Sequence, residues 1–181
     1  GGAINGLGSY SYVDGSSYTG EWVAGQKSGQ GIHLSVAGDR YIGSFKSDYF
    51  DGDGVYTQAS GAVFSGAWRR GKRNGKGRQT DSDGGIYDGL FREDRRRGYG
   101  VYVALDGTSY TGDWQDDVYH GQGVLKTPNG DNYSGGFVAN LFAGYGVYIA
   151  ANGSTYKGLW QAGNRHGRGT QTNAAGGVYS G

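Results

Sequence analysis

Cysteine and methionine are absent from this sequence, and proline occurs once, at Pro128. Without cysteine there is no disulfide and no thiolate zinc site, and a reducing compartment is compatible. The missing methionine, at position one as elsewhere, indicates a fragment or a processed chain whose true termini lie outside it. There is no excess of one charge, since 17 basic and 16 acidic residues leave a net charge of +1. No signal peptide and no apolar run of transmembrane length is present. Hydrophobic residues make up only 35% of the chain, so any core must be thin.

Glycine and tyrosine are abundant, at 40 and 16 residues, and they follow a period. Tyr110-Thr111-Gly112-Asp113-Trp114, followed by Gly121-Gln122-Gly123, matches Tyr18-Thr19-Gly20-Glu21-Trp22 with Gly29-Gln30-Gly31. The leading aromatic returns at Tyr41, Phe64, Tyr87, Tyr133, Tyr156 and Tyr179, every 23 residues without insertion or deletion. A period of that length marks a repeat architecture. Counting from the leading aromatic as position zero, positions two, eleven, thirteen and twenty are always glycine, and position four is Trp or Phe in turn. Position seven is Gly, Asp or Asn, as in Gly2, Gly25, Asp48, Asp94, Asp117 and Asn140. These five positions hold 36 of the 40 glycines. Glycine on a lattice interleaved with large rings means turns and close packing, where scattered glycine would mean a flexible chain.

Positions zero, two and four alternate with period two and share one face of a strand. Positions eleven to fifteen form a second strand, and the segment between them is a hairpin tip of some length. A further turn falls at positions nineteen and twenty, as in Asp14-Gly15, Asp106-Gly107, Asn129-Gly130 and Asn152-Gly153, and Pro128 stands beside it, where no ladder hydrogen bond is lost. The expected core is aromatic: Tyr18, Trp22, Tyr41, Phe45, Phe64, Trp68, Tyr87, Phe91, Tyr110, Trp114, Tyr133, Phe137, Tyr156 and Trp160. A ring over each glycine pair offsets the roughly 0.5–1 kcal/mol that a strand glycine costs. Alternating Trp and Phe lets neighbouring repeats interdigitate.

The pattern Tyr-x-Gly-x-Trp/Phe, a turn, then Gly-x-Gly, resembles the MORN (membrane occupation and recognition nexus) repeat. The resemblance covers the whole chain: a partial repeat 1–17, full repeats 18–40, 41–63, 64–86, 87–109, 110–132, 133–155 and 156–178, and a stub 179–181. It implies an all-β fold, an elongated single-layer antiparallel β-hairpin solenoid. At about 9.6 Å per two-stranded repeat, seven repeats would span about 70 Å. It also implies a non-catalytic scaffold of a cytoskeletal or membrane-associated assembly, one that binds proteins and itself. The place implied is the cytoplasm, on the cytoskeleton or at the cytoplasmic face of a membrane. The alternative it implies is a phosphoinositide-binding targeting module of a larger enzyme.

Chemistry-bearing constellations are lacking. His120 and His166 both occupy position ten, which the MORN pattern often fills with His, and His33 stands alone on the second strand. Asp116-Asp117, and Asp51 with Asp53, read as solvated acids at hairpin tips. No catalytic residue, metal ligand or cofactor follows, and the lattice glycines open no helix to cradle phosphate. The aromatics read as core in preference to a nucleic-acid stacking platform, so no nucleic-acid partner is expected.

Charge is unevenly placed: ten of the 17 basic residues lie between Arg69 and Arg97. Arg69, Arg70, Lys72, Arg73, Lys76, Arg78, Arg95, Arg96 and Arg97 form either a solvated face or a docking site for an anionic phospholipid or an acidic protein tail. Gly1 falls at a hairpin tip, and neither end carries a polar capping element, so open strand edges are expected. From Thr170 to Gly181 there is no charged residue. That leaves the last strand, beginning Gly177-Val178-Tyr179, as the candidate homodimer edge, with Val178 and Tyr179 at the interface. Side-by-side packing through Tyr49-Phe50 and Leu141-Phe142 is the competing route.

Overall fold

The computed structural model describes residues 3–181, and Gly1 and Gly2, read above as part of a hairpin tip, lie outside the described residues. The chain divides into two units, 1–94 and 95–181. In unit one the strands are β1 (Gly6–Ser11), β2 (Ser17–Val23), β3 (Gln26–Leu34), β4 (Arg40–Lys46), β5 (Tyr49–Thr57), β6 (Val63–Arg69), β7 (Lys72–Thr80) and β8 (Ile86–Arg92). In unit two they are β9 (Arg95–Val103), β10 (Ser109–Gln115), β11 (Val118–Lys126), β12 (Asn132–Val138), β13 (Leu141–Ile149), β14 (Thr155–Gln161), β15 (Asn164–Thr172) and β16 (Val178–Ser180). Within each unit every strand pairs antiparallel with the next in sequence, giving a one-layer open sheet. The fold is all-β, and no helix occurs among the described residues.

The hairpin tips are shorter than their sequence suggests. Only positions six and seven separate the strands, both with positive φ: Ala24 and Gly25 at 50° and 78°, Asp116 and Asp117 at 50° and 72°. Such two-residue turns carry the twist of the flanking strands. The second strand of each repeat therefore begins at position eight, as at Gln26, and not at eleven. Asp51 and Asp53 accordingly lie on β5, beyond the tip. Residues such as Ala24 and Arg70 are left in a left-handed conformation that costs about 1 kcal/mol.

Bonds between tips offset that strain. The position-seven N–H donates to the position-nine carbonyl of the preceding repeat, as in Gly25 N to Ile4 O (2.9 Å), Asp48 N to Lys27 O (3.1 Å), Asn140 N to Tyr119 O (3.0 Å) and Gly163 N to Phe142 O (3.0 Å). Where position seven is Asp or Asn, its side chain also accepts the N–H of that same residue: Lys27 to Asp48, Arg73 to Asp94 and Arg96 to Asp117, each 2.9 Å, and Tyr119 to Asn140, 2.7 Å. The departures from glycine thus add a tether between repeats.

The glycine at position eleven has a different task. Gly29 and Gly121, with φ of 57° and 62°, lie where the register shifts after Gly20 and Gly112. The resulting bulge turns the carbonyl of position three toward the aromatic face. Tyr18, Tyr41, Tyr87, Tyr110, Tyr133 and Tyr156 all donate their hydroxyl to that carbonyl, at 2.8 to 3.2 Å. Phe64 has no hydroxyl to offer.

All fourteen aromatics at positions zero and four are at most 8% exposed. The rings of Tyr18, Tyr41, Phe64, Tyr110, Tyr133 and Tyr156 lie over the glycines of positions two and thirteen. A Cβ added to Gly31 would stand 2.4 Å from the Tyr18 ring, and one added to Gly146 would stand 2.3 Å from the Tyr133 hydroxyl. Trp22, Trp68, Trp114 and Trp160 reach back and donate Nε1–H to the carbonyls of Gly8, Gly54, Gly100 and Gly146, at 3.2 to 3.4 Å. Alternation of Trp with Phe therefore places this bond between every second pair of repeats.

Candidate functional site

Position nine completes the aromatic face. In unit two, Tyr119 stacks on Tyr110 at 3.8 Å and Phe142 on Tyr133 at 3.7 Å, nearly parallel in both cases. The Arg165 guanidinium sits 4.7 Å from the Tyr156 ring, and Arg96 lies 5.0 Å from Tyr102 and 5.3 Å from Trp114. In unit one, Phe50 stacks on Tyr41 at 3.7 Å, Lys27 lies 5.4 Å from Tyr18, and Arg73 lies 5.7 Å from Phe64 and 5.0 Å from Phe91. In six of the seven full repeats a flat ring or a cation lies over the position-zero ring. The sequence signal was available, because position nine of the full repeats holds only Lys, Arg, Phe or Tyr. Phe50 and Phe142, read as half of two surface pairs, are instead lids on the core, while Tyr49 and Leu141 beside them are 55% and 49% exposed.

Burial pushes the phenols of Tyr41 and Tyr110 well above their ordinary range. Tyr56 is pushed up to about 12 by burial and by its 2.7 Å bond to Asp39. Asp39 is held below the usual carboxylate range by the Ala59 N–H and the Tyr56 hydroxyl. Asp131 is held low in unit two by Tyr148 and the Ala151 N–H. These two aspartates tie successive turns together, four repeats apart in sequence.

The basic stretch of the sequence is distributed over different environments. Arg73 and Arg96 belong to the aromatic face, and Arg73 also bonds the Gln79 side chain (2.5 Å) and the Asp94 carbonyl (2.6 Å). Lys72 pairs with Glu93 at 2.6 Å, and Arg95 with Asp116 at 4.0 Å. Lys76 and Arg78 stand on β7 on the face opposite the rings, across from Leu90 and Asp88. Arg97 lies on β9 in unit two. Arg69 and Arg70 line a cleft of about 800 Å³ at the tip edge of unit one, with Lys46, Tyr49, Trp68 and Asn74. Among the described residues, neither Lys46 nor Arg69 has a carboxylate within ion-pair distance.

The remaining candidates lie apart from these. A shallow depression of about 440 Å³ in unit two runs between Tyr99 and Tyr145 on the face away from the rings, over Gly112, Gly123 and Gly135. Among the described residues β16 pairs only with β15, and Val178 and Tyr179 are 67% and 73% exposed. His33 is half-buried on β3, and burial holds its imidazole below the usual range. The His120 carbonyl receives the Tyr110 hydroxyl at 3.3 Å. No group of three or more metal-ligating side chains gathers among the described residues. Among the described residues no helix is long and apolar enough to cross a membrane.

Comparison with solved structures returns domains of similar topology. The TCP domain of SAS-4 (dCPAP) of Drosophila melanogaster, solved with a proline-rich motif of Ana2 (dSTIL), aligns with a TM-score of 0.51 at 9% identity, over 96% of this chain and 88% of that one. The TCP10 domain of Danio rerio CPAP aligns with a TM-score of 0.49 at 13% identity, over 93% and 84%. At these identities the likeness is one of fold. No curated protein matches the sequence. The MORN repeat family model matches residues 1–17, 18–40, 41–63, 64–86, 87–109, 110–132, 133–155 and 156–178. With eight consecutive matches, of which the seven full ones each take in one hairpin, the chain belongs to the MORN repeat family.

Proposed function

We propose that this chain is a non-catalytic structural scaffold of a cytoskeletal or membrane-associated assembly, binding proteins and itself along its sheet. The observation that carries the reading is the division of labour between the two faces of each unit. One face is used up by the aromatic lattice, while the other presents exposed side chains, Ile32, Ile42 and Val55 in unit one and Tyr99 and Tyr145 in unit two. A one-layer sheet of this kind offers area and edges in place of an enclosed site. The Drosophila domain of similar fold holds a proline-rich motif, which supports an extended protein segment as the partner here. Proximity labelling with the full-length protein in its own cell tests the reading. Recovery of cytoskeletal or membrane-skeleton neighbours is expected, and recovery of soluble metabolic enzymes alone would refute it.

Self-association is proposed at β16, whose outer edge is unpaired and whose surroundings lack charge from Thr170 to Gly181. Light scattering on the chain and on a form ending at Tyr156 tests it, with a dimer expected only for the longer form. A phosphoinositide-targeting role is the second reading, favoured by Arg69 at the tip edge, which has no carboxylate within ion-pair distance among the described residues. Loss of binding to inositol-phospholipid vesicles in Arg69→Ala/Arg70→Ala would support it.

A further inference from the structure

Position five faces away from the rings at the tip edge of each repeat. In unit one it carries Val23 on β2 and then Lys46, Arg69 and Arg92 on β4, β6 and β8, all exposed. In unit two the same position carries Gln115, Val138 and Gln161. Basic charge at this position is therefore confined to unit one. None of the three has a carboxylate within ion-pair distance among the described residues, and Glu93, which feels Arg69, is already bonded to Lys72 at 2.6 Å. Arg70 joins Lys46 and Arg69 in lining the cleft, and its N–H is fixed by the Asp51 carboxylate at 3.1 Å. Tyr49 and the edge of Trp68 supply an aromatic wall.

The three side chains recur every second strand, a step of about 9.6 Å. An extended strand laid across them would present like side chains every two residues, roughly 6.8 Å apart, and fall out of step. A polyproline II segment presents every third residue on one face, about 9.3 Å apart, and stays in step over three repeats. We propose that this row receives an acidic protein segment in polyproline II conformation, with a carboxylate at every third residue. Charge complementarity supplies the attraction, and the repeat pitch supplies the selectivity for spacing. The inference rests on the protein-binding reading above and names the partner class and the residues that read it.

The test is fluorescence anisotropy with a labelled peptide of five Glu-Pro-Pro units, compared with a peptide of the same composition whose glutamates stand in one block. The regular peptide is expected to bind the chain at least about fivefold more tightly than the block, and less tightly as salt rises. Lys46→Glu/Arg69→Glu/Arg92→Glu is expected to weaken binding by at least about tenfold, whereas Gln115→Glu/Gln161→Glu in unit two leaves it unchanged. Far-UV circular dichroism and melting establish that the triple variant keeps its fold, as its three exposed sites predict. Equal binding of the two peptides, or a folded triple variant that binds like the parent, overturns the proposal. So does binding of phosphatidylserine vesicles through the same three residues without peptide binding, which assigns the row to a membrane surface. If the peptide fails while proximity labelling still returns cytoskeletal neighbours, only this inference falls.

Discussion

Gly123→Ala isolates the clamp between ring and glycine. A Cβ at Gly123 would stand 2.5 Å from the Tyr110 hydroxyl and 2.6 Å from its Cε2. The ring would have to retreat by roughly 1 Å to restore van der Waals distance. It has nowhere to go: Tyr119 is stacked on its other face at 3.8 Å, and Trp114 and Phe137 hold its edges at 5.3 and 5.1 Å. Overpacking costs about 1–3 kcal/mol. Displacing the hydroxyl from the Asp113 carbonyl, now at 2.8 Å, adds about 1 kcal/mol. Reduced freedom of the unfolded chain returns about 0.4–1 kcal/mol. The net loss is therefore about 1–3.6 kcal/mol, a fall of roughly 0.5–1.8 M in the urea midpoint at a slope of about 2 kcal/mol/M. Gly8 is the internal control. It occupies the same position thirteen, but among the described residues an added Cβ there would meet only the Trp22 ring, in ordinary contact at 3.7 Å. Gly8→Ala should stay within about 0.5 kcal/mol of the parent. In a Tyr110→Leu background, Gly123→Ala should lose most of its cost, a coupling of about 1–3 kcal/mol. Urea unfolding followed by circular dichroism reads the parent and all four variants. If Gly123→Ala matches Gly8→Ala, or its cost persists without the ring, the clamp is not what selects glycine here.

Further outcomes follow from neighbouring contacts. Trp114→Ala should cost about 3–5 kcal/mol by urea unfolding, because a buried ring and its bond to Gly100 are both removed. Phe64→Tyr should stabilise by about 0.5–1 kcal/mol, since a hydroxyl there meets the Ala67 carbonyl as its counterparts do in the other repeats, and a lower urea midpoint would refute it. Asp39 and Asp131 have carboxyls depressed in the folded chain, so their contribution is present above the ordinary carboxylate range and lost as pH falls through their lowered values. Melting temperatures should therefore fall less steeply between pH 5 and pH 3 in Asp39→Asn/Asp131→Asn than in the parent, and identical slopes would remove the turn tethers from the account.

The sequence by itself determined the repeat, its strand faces and the aromatic pattern. The reason is periodicity: an uninterrupted lattice of Tyr, Gly and Trp or Phe leaves one alternation that buries every large ring. It did not reveal the tip, because two-residue turns here place ordinary residues such as Ala24 and Arg70 at positive φ, and only the bonds to the preceding repeat hold them there. Nor could it sort the basic stretch. Arg69 and Arg73 are four residues apart and look equivalent on paper. The tight turn and the bulge direct Arg73 onto the Phe64 and Phe91 rings and leave Arg69 on the opposite face at the tip edge. Which cations close the core and which face solvent depends on strand register, and register is fixed by pairing between strands and not by order along the chain.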